Sequence, residues 1–352
     1  MIRILADGVV YHGNGLGGIA RYWTETIRAF NAMGESACME LVVPPKSSRP
    51  RGLSFNVEGT WRAIRSMLAA DIFHSSYYRI WPSMRMIPLV TTVYDWITGD
   101  VPLYYSNYNW SAFAAMQKRV VSRSSGVIAI SEDVKRRTVE LTGFPEDRIE
   151  VAHLATGGVF AEDIPPDSDK ETFRQLHTGG APFFVHVGRK NGYKNFRVVL
   201  DGYLRIADRT DRHLLAVGGE DTLPDDLAYS VFRAHAEKKV HILPHAPDGT
   251  LRLAYAASDG FLSASLGEGF GLPILEALAS GAKPILSDIP VYREVAGDMA
   301  EYLPPSDPDA WADAMLRDHP WNPEWRERVL GMYSWKKTAE AHLRLYRKLL
   351  DQ

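Results

Sequence analysis

The chain has 352 residues, more than one hydrophobic core usually serves, so two domains are expected. Its 40 Lys and Arg nearly balance 43 Asp and Glu, a net charge of -3, which leaves no basic excess to hold nucleic acid. The single cysteine, Cys38, excludes an intrachain disulfide and a cysteine-built metal cluster, and fits a reducing, cytoplasmic setting.

The opening run MIRILADGVV is too short in apolar residues for a signal peptide. No window nears the ~20 apolar residues of a membrane span. Ile2–Ala6, Met39–Val43, Asp71–His74, Leu89–Val93 and Gly126–Ile130 read as strands. Between the first two, Ile19, Tyr22, Trp23, Ile27, Phe30 and Met33 recur at helical spacing. Such alternation predicts parallel strands joined by crossover helices. Residues 161–170, AEDIPPDSDK, break the pattern and suit a linker. Alternation resumes at Pro182–Val187, His213–Val217, Val240–Leu243, Asp259–Ser263 and Pro284–Leu286.

We therefore expect two doubly wound α/β domains, residues 1–168 and 169–334. Open parallel sheets bind ligands outside the carboxyl ends of their strands. Two such sheets facing one another would hold a ligand in a central cleft. The last segment, Trp335–Leu350, is helical, with Ala339, Leu343, Tyr346 and Leu350 on one face. It either closes the second domain or packs back on the first.

Gly13-Asn-Gly15-Leu-Gly17-Gly18 satisfies GxGxxG after a strand and before a helix. A dinucleotide site also needs an acid at the end of the next strand, and MELVV ends in Pro44 and Pro45 instead. What survives is weaker: glycines at a helix start let backbone N–H groups approach an anion, or they simply make a tight turn.

Residues 263–281 are more specific. Gly267, Gly269 and Gly271 keep a loop free of bulk, Pro273 suits a helix start, and Gly281 suits its exit. A glycine loop ending at a helix N-terminus is physically a phosphate cradle. Glu268 lies in the loop and Glu276 is expected in the first helical turn, so the two carboxylates do not share a face. They suit sugar hydroxyls, although macrodipole complementarity alone would also account for Glu276. The segment GRKNGYKN, from Gly188 to Asn195, leaves a strand and enters a helix. Its Arg189 and Lys194 could hold a diphosphate and stabilise it as it departs, or form a solvated basic loop.

Together, EGFGLPILEALA and GRKNGYKN resemble the retaining glycosyltransferases of family 4, which have the GT-B fold of two facing Rossmann-like domains. The likeness continues through Ser287–Gly297 and Ser334-Trp335, and earlier through Gly17-Gly-Ile-Ala-Arg21-Tyr and Ile130-Ser-Glu132. The resemblance implies that Arg189 and Lys194 bind the donor diphosphate. It implies that Glu268 contacts the transferred sugar, helped by backbone groups of Gly269, Phe270 and Gly271, and that Glu276 holds the ribose. Gly17 and Gly18 would face the donor phosphates, with Gly188 and Leu272 completing the donor set and Arg21 on the acceptor side. No cofactor and no metal are implied. Many members carry His-Asp after the fourth strand, where this chain has Tyr94-Asp95. Tyr donates one hydrogen bond but carries no cation near neutral pH. Asp95 would orient an acceptor hydroxyl or cap backbone.

The loop spacing looks like the subgroup resembling bacterial O-antigen mannosyltransferases. That implies GDP-mannose as donor, with a UDP-hexose the competitor, and a glycan or polyprenyl-diphosphate-linked glycan as acceptor in surface polysaccharide synthesis. Tyr104, Tyr105, Tyr108, Trp110 and Phe113 precede Lys118, Arg119, Arg123, Lys135, Arg136 and Arg137. Aromatic and basic residues together suit peripheral contact with the inner face of a cytoplasmic membrane, or a core with a solvated face. A nucleotide-sugar epimerase, a phosphorylase and a non-catalytic nucleotide-sugar-binding protein are the rival readings.

Overall fold

A computed structural model describes residues 2–11, 18–34, 37–43, 55–57, 65–66, 68–80, 87–97, 110–219 and 221–351. The chain divides into two compact units. The first gathers the described residues through Ala155 together with Tyr333–Gln352, and the second contains Thr156–Met332.

Unit 1 follows the expected alternation. Strand β1 (Ile2–Asp7) leads, beyond residues outside the description, to helix α1 (Gly18–Ala32), which buries Tyr22, Trp23, Ile27 and Phe30. There follow β2 (Ala37–Val43), β3 (Phe55–Val57), β4 (Ile72–Ser75), β5 (Leu89–Val93), α2 (Trp110–Val121), β6 (Gly126–Ala129), α3 (Glu132–Thr142) and β7 (Ile149–Val151). The strands form one parallel sheet in the order β3-β2-β1-β4-β5-β6-β7. The order reverses between β1 and β4, the switch point where doubly wound sheets take their ligands.

In unit 2, α4 (Asp167–Thr178), β8 (Phe183–Val187), α5 (Phe196–Leu204), β9 (His213–Val217), α6 (Asp225–Arg233) and β10 (Val240–Leu243) come first. Then come α7 (Asp248–Ala257), β11 (Gly260–Ser263), α8 (Leu272–Ser280), β12 (Pro284–Ser287), α9 (Pro290–Ala296) and β13 (Glu301–Leu303), followed by α10 (Pro308–Met315) and α11 (Pro323–Met332). Its sheet is parallel with order β10-β9-β8-β11-β12-β13 and switches between β8 and β11. Its core packs α5 and α10 on the sheet through Phe196, Tyr203 and Trp311. Gly202 permits this, because a Cβ there would lie 2.8 Å from the Pro308 carbonyl oxygen.

One boundary differs from expectation, and the last helix takes one of its two expected places. The break between units falls after Ala155 rather than at 168. The segment before α4 already belongs to unit 2: Phe160 is buried against Tyr255, and Arg326 donates to the carbonyls of Ala161 and Glu162. The last helix, α12 (Trp335–Leu350), packs in unit 1 against α1, β6 and β7. Ala339, Leu343 and Tyr346 are buried as the apolar face requires, while Leu350 is exposed at the end.

The contact of α12 with unit 1 is polar as well as apolar. His342 Nε2 lies 3.0 Å from Tyr22 OH, and its Nδ1 lies 2.9 Å from the Thr338 carbonyl. His74 on β4 lies 2.5 Å from Tyr346 OH and 2.9 Å from Thr92 Oγ1. Burial pushes both imidazoles below their ordinary range, His342 down to about 4, and the nearby His342 lowers His74 further. Both are therefore neutral in the folded protein, and both would gain a proton on unfolding below about pH 6.5. Stability from these groups is complete above that pH and is lost as the pH falls toward about 4. For His342 alone the loss is about 3 kcal/mol. Urea denaturation at pH 7.5, 5.5 and 4.5 should show this decline, and His342→Gln should flatten it relative to the parent protein.

Candidate functional site

In unit 2 two loops leave the carboxyl ends of the switch-point strands. The first follows β8 through Gly188–Asn195. Gly188 has φ +142°, where a side chain is strained, and a Cβ there would sit 3.6 Å from Lys194 Cδ. The loop also packs on Gly219, whose Cβ position is 3.0 Å from Arg189 Cα. Lys190 is buried and donates to the Gly218 carbonyl at 2.7 Å, which ties the loop to the end of β9. Arg189 is exposed, and Lys194 is partly covered. Asn195 adopts the left-handed conformation (φ +53°), and its side chain donates to the carbonyls of Ala264 (3.1 Å) and Pro305 (2.7 Å).

The second loop follows β11 through Ser263–Gly271. Gly271, with φ +97°, caps α8, and Pro273 lies in the first helical turn as expected. Leu266 N–H donates to the Tyr193 carbonyl at 2.9 Å, so the two loops are joined by backbone. They are also joined by charge: Lys194 Nζ lies 2.6 Å from Glu268 Oε1, with the side chains only 19% and 9% exposed. Ser265 Oγ donates to the same carboxylate oxygen at 2.7 Å, and Tyr292 OH does so at 3.4 Å. Gly269 and Phe270 are buried, and Leu272 is half-buried as the first residue of α8.

Glu276 differs from expectation in one respect. Because α8 begins at Leu272, Glu276 lies beyond the first turn, where the macrodipole has little reach. The residue is 4% exposed, and its carboxylate accepts from Tyr255 OH at 3.5 Å. Burial of a carboxylate at this depth calls for polar partners rather than a dipole alone.

Beneath the first loop stands His186. Its Nδ1 lies 3.1 Å from the Leu262 carbonyl, and Nε2 has no hydrogen-bond partner among the described residues. Burial, aided by Lys194 and Lys190 nearby, pushes it down to about 4. The ring is neutral, so the positive charge of the site belongs to the loop cations.

In unit 1, Tyr94 is buried and its hydroxyl is used within the protein. It accepts from Trp23 Nε1 at 2.5 Å and donates to the Ser76 carbonyl at 2.7 Å. Asp95 is half-buried, and its Oδ1 accepts from Ile97 N–H at 3.2 Å. Gly18, the first residue of α1, is exposed with open space where a Cβ would stand, and Arg21 is half-buried. Gly17 lies outside the described residues. Asp7, unremarked in the sequence, is fully buried at the end of β1 and accepts from Ser76 Oγ at 2.5 Å and Ser76 N–H at 3.2 Å. Burial raises its carboxyl above the ordinary range, against the lowering pull of the Ser76 bonds.

Of the aromatic and basic residues between 104 and 137, Tyr104, Tyr105, Tyr108 and the Trp110 side chain lie outside the description. Phe113 packs on Tyr77 and Tyr78. Lys135 pairs with Glu146, and Arg136 with Asp133 and Glu140, whereas Lys118, Arg119 and Arg123 are exposed beside exposed Met116. No helix among the described residues is long and apolar enough to cross a membrane.

Two doubly wound parallel sheets, with a cation loop and a glutamate–glycine loop at one switch point, define a glycosyltransferase of the GT-B class. Comparison with known proteins agrees. Sucrose-phosphate synthase from Thermosynechococcus elongatus superposes with a TM-score of 0.76 over 100% of both chains at 18% identity, a likeness of fold. Residues 37–155 match the model described as Glycosyltransferase Family 4, and residues 167–317 the one described as Glycosyl transferases group 1. The O-antigen chain mannosyltransferase B of Escherichia coli is 26% identical over 276 residues, 75% of this chain and 71% of that protein. The O-antigen chain mannosyltransferase RfbU of Salmonella typhimurium is 26% identical over 272 residues, 77% of this chain and 72% of that one. The chain belongs to the family 4 glycosyltransferases.

The cap at Gly271 makes a direct test of the loop geometry. A Cβ there would meet Tyr292 Cε1 at 2.9 Å on a backbone that disfavours side chains. Gly271→Ala should cost about 2–4 kcal/mol in a denaturant titration. Gly249→Ala at the start of α7, whose Cβ meets nothing within 4 Å, should cost far less.

Proposed function

We propose that this glycosyltransferase moves a hexose, with mannose from GDP-mannose the favoured donor, onto a glycan or polyprenyl-diphosphate-linked glycan in bacterial surface polysaccharide synthesis. The observation that carries the reading is the Lys194–Glu268 pair on the loops after β8 and β11, beside exposed Arg189. A cation loop and a carboxylate joined in this way offer charge for a diphosphate and an acceptor for sugar hydroxyls in one place. The names of the O-antigen mannosyltransferase relatives favour mannose and the polysaccharide setting.

Arg189 and Lys194 bind the diphosphate and stabilise it as the glycosidic bond breaks. They supply the positive charge without a metal or other cofactor. Glu268 accepts a hydroxyl of the transferred sugar. Glu276 accepts the ribose hydroxyls, and Gly188, Gly269, Phe270, Gly271 and Leu272 shape the donor site with backbone. Gly18 and Arg21 are further ligand contacts, and Asp95 orients the acceptor hydroxyl. Tyr94, with its hydroxyl occupied by Trp23 and Ser76, supports Asp95 rather than touching sugar.

The transfer retains anomeric configuration by front-face substitution. The acceptor oxygen bonds to the anomeric carbon as the bond to the diphosphate oxygen breaks, and a departing phosphate oxygen takes the acceptor proton. Double displacement would need a carboxylate aimed at the anomeric carbon. The bonds of Glu268 Oε1 to Lys194 and Ser265 favour a role in hydroxyl binding instead.

Glu268→Ala, Arg189→Ala and Lys194→Ala should each lower kcat by more than about tenfold. Unchanged turnover in all three would overturn the site assignment. Thermal melts with GDP, UDP, ADP and their hexose conjugates identify the donor, since a ligand at 100 times its Kd adds ~2.7 kcal/mol. A larger shift with UDP-glucose than with GDP-mannose would replace the mannose reading.

Lys118, Arg119 and Arg123 favour peripheral contact with an anionic inner membrane surface. Flotation with phosphatidylglycerol vesicles should recover the protein at low salt and lose it at high salt. Failure to float at low salt would sink that contact.

A further inference from the structure

The carboxylate of Glu268 is held unevenly. Oε1 receives Lys194 Nζ at 2.6 Å, Ser265 Oγ at 2.7 Å and Tyr292 OH at 3.4 Å. Among the described residues no hydrogen bond reaches Oε2. Three donors converging on one oxygen fix the carboxylate plane and leave the other oxygen to a ligand.

Lys194 is a poor permanent anchor for this arrangement. An ammonium that turns toward a diphosphate weakens its bond to Glu268, so the carboxylate must be held by something else during transfer. Ser265 and Tyr292 are the neutral donors that remain. Tyr292 reaches the site from α9 and is 1% exposed. Its hydroxyl also lies 2.7 Å from Ser263 Oγ. An ionised carboxylate only accepts, so the hydroxyl chain runs from Ser263 to Tyr292 to Glu268. Burial and the charge of Glu268 push the phenol well above its ordinary range, which keeps it a donor at any working pH. The ring is wedged under the glycine loop, against the position a Cβ on Gly271 would take.

We propose that Tyr292 is a positioning residue for sugar transfer: with Ser265 it pins Oε1 of Glu268 so that Oε2 faces a hydroxyl of the transferred sugar. The proposal rests on the reading of Glu268 as the sugar contact and assigns how that contact is aimed. It separates nucleotide binding, which does not need the hydroxyl of Tyr292, from turnover, which does.

The test is a double-mutant cycle between Tyr292→Phe and Glu268→Gln. Donor hydrolysis and transfer are followed with GDP-mannose, UDP-glucose and ADP-glucose as probes, together with thermal shifts by the free diphosphates. Tyr292→Phe keeps the ring and should lower kcat about five- to tenfold. Donor KM and the shift given by GDP, UDP or ADP should stay within about twofold of the parent, since neither depends on the lost hydroxyl. In the Glu268→Gln background the same change should have less than about a twofold effect, because the two residues act as one unit. Where Glu268→Gln turns over too slowly to follow, the extra thermal shift of the nucleotide sugar over its diphosphate supplies the same cycle. Ser265→Ala gives a parallel cycle if Tyr292→Phe melts early. Equal losses in both backgrounds, or no loss in Tyr292→Phe, would overturn the proposal while leaving Glu268 in place. Full activity in Glu268→Gln would instead overturn the sugar-contact reading, and the proposal with it.

Discussion

A cation and a carboxylate 2.6 Å apart, both mostly out of solvent, tie together the two strand-end loops that follow β8 and β11 in the second unit. Glycine-rich loops gain close approach to a ligand at the cost of definition. Here Lys194 and Glu268 restore that definition, aided by the Leu266–Tyr193 backbone bond and by Asn195, which reaches the carbonyls of both Ala264 and Pro305. Removing such charges from water costs about as much as their attraction returns, so a buried pair is weak evidence for stability. On the proposed function its value is preorganisation: opposite charges would already be in place for a diphosphate and for sugar hydroxyls.

The first unit solves a different problem. Its sheet must accept a helix from the far end of the chain, and apolar packing alone specifies such a partner loosely. The pairs His342–Tyr22 and His74–Tyr346 add directional bonds that are satisfied in one register. Trp23 and Ser76 on Tyr94, and Ser76 on Asp7, extend the polar core to the carboxyl ends of β1, β4 and β5. Buried hydrogen-bonded networks of this kind rigidify the elements they join, although Asp7 Oδ2 has no hydrogen-bond partner among the described residues. In this protein they rigidify the corner that carries Asp95.

Much of this was legible in the amino-acid sequence, and the omissions have physical causes. The ten expected strands are present because buried parallel strands are continuous apolar runs. Phe55–Val57, Ile149–Val151 and Glu301–Leu303 were not foreseen. Each has three residues and lies at a sheet edge, too short for any period to register. The Lys194 and Glu268 loops were legible because glycine spacing and charge are local signals. Tyr292 was not, since its contact with Glu268 exists only after α9 folds beneath the loop. Tyr94 was noticed as a departure from a familiar pair, but its burial depends on Trp23 and Ser76, which sequence spacing does not connect.

The return of α12 to unit 1 also sets an order of events during synthesis. The described residues of unit 2 all fall within Thr156–Met332, so that unit has all its described parts once this stretch has left the ribosome. Unit 1 is older in the chain yet completed later, because Tyr22, Phe30 and His74 await partners made after everything in unit 2. The domain begun first is therefore the domain finished last, and until then the inner face of α1 is a surface for a chaperone to cover.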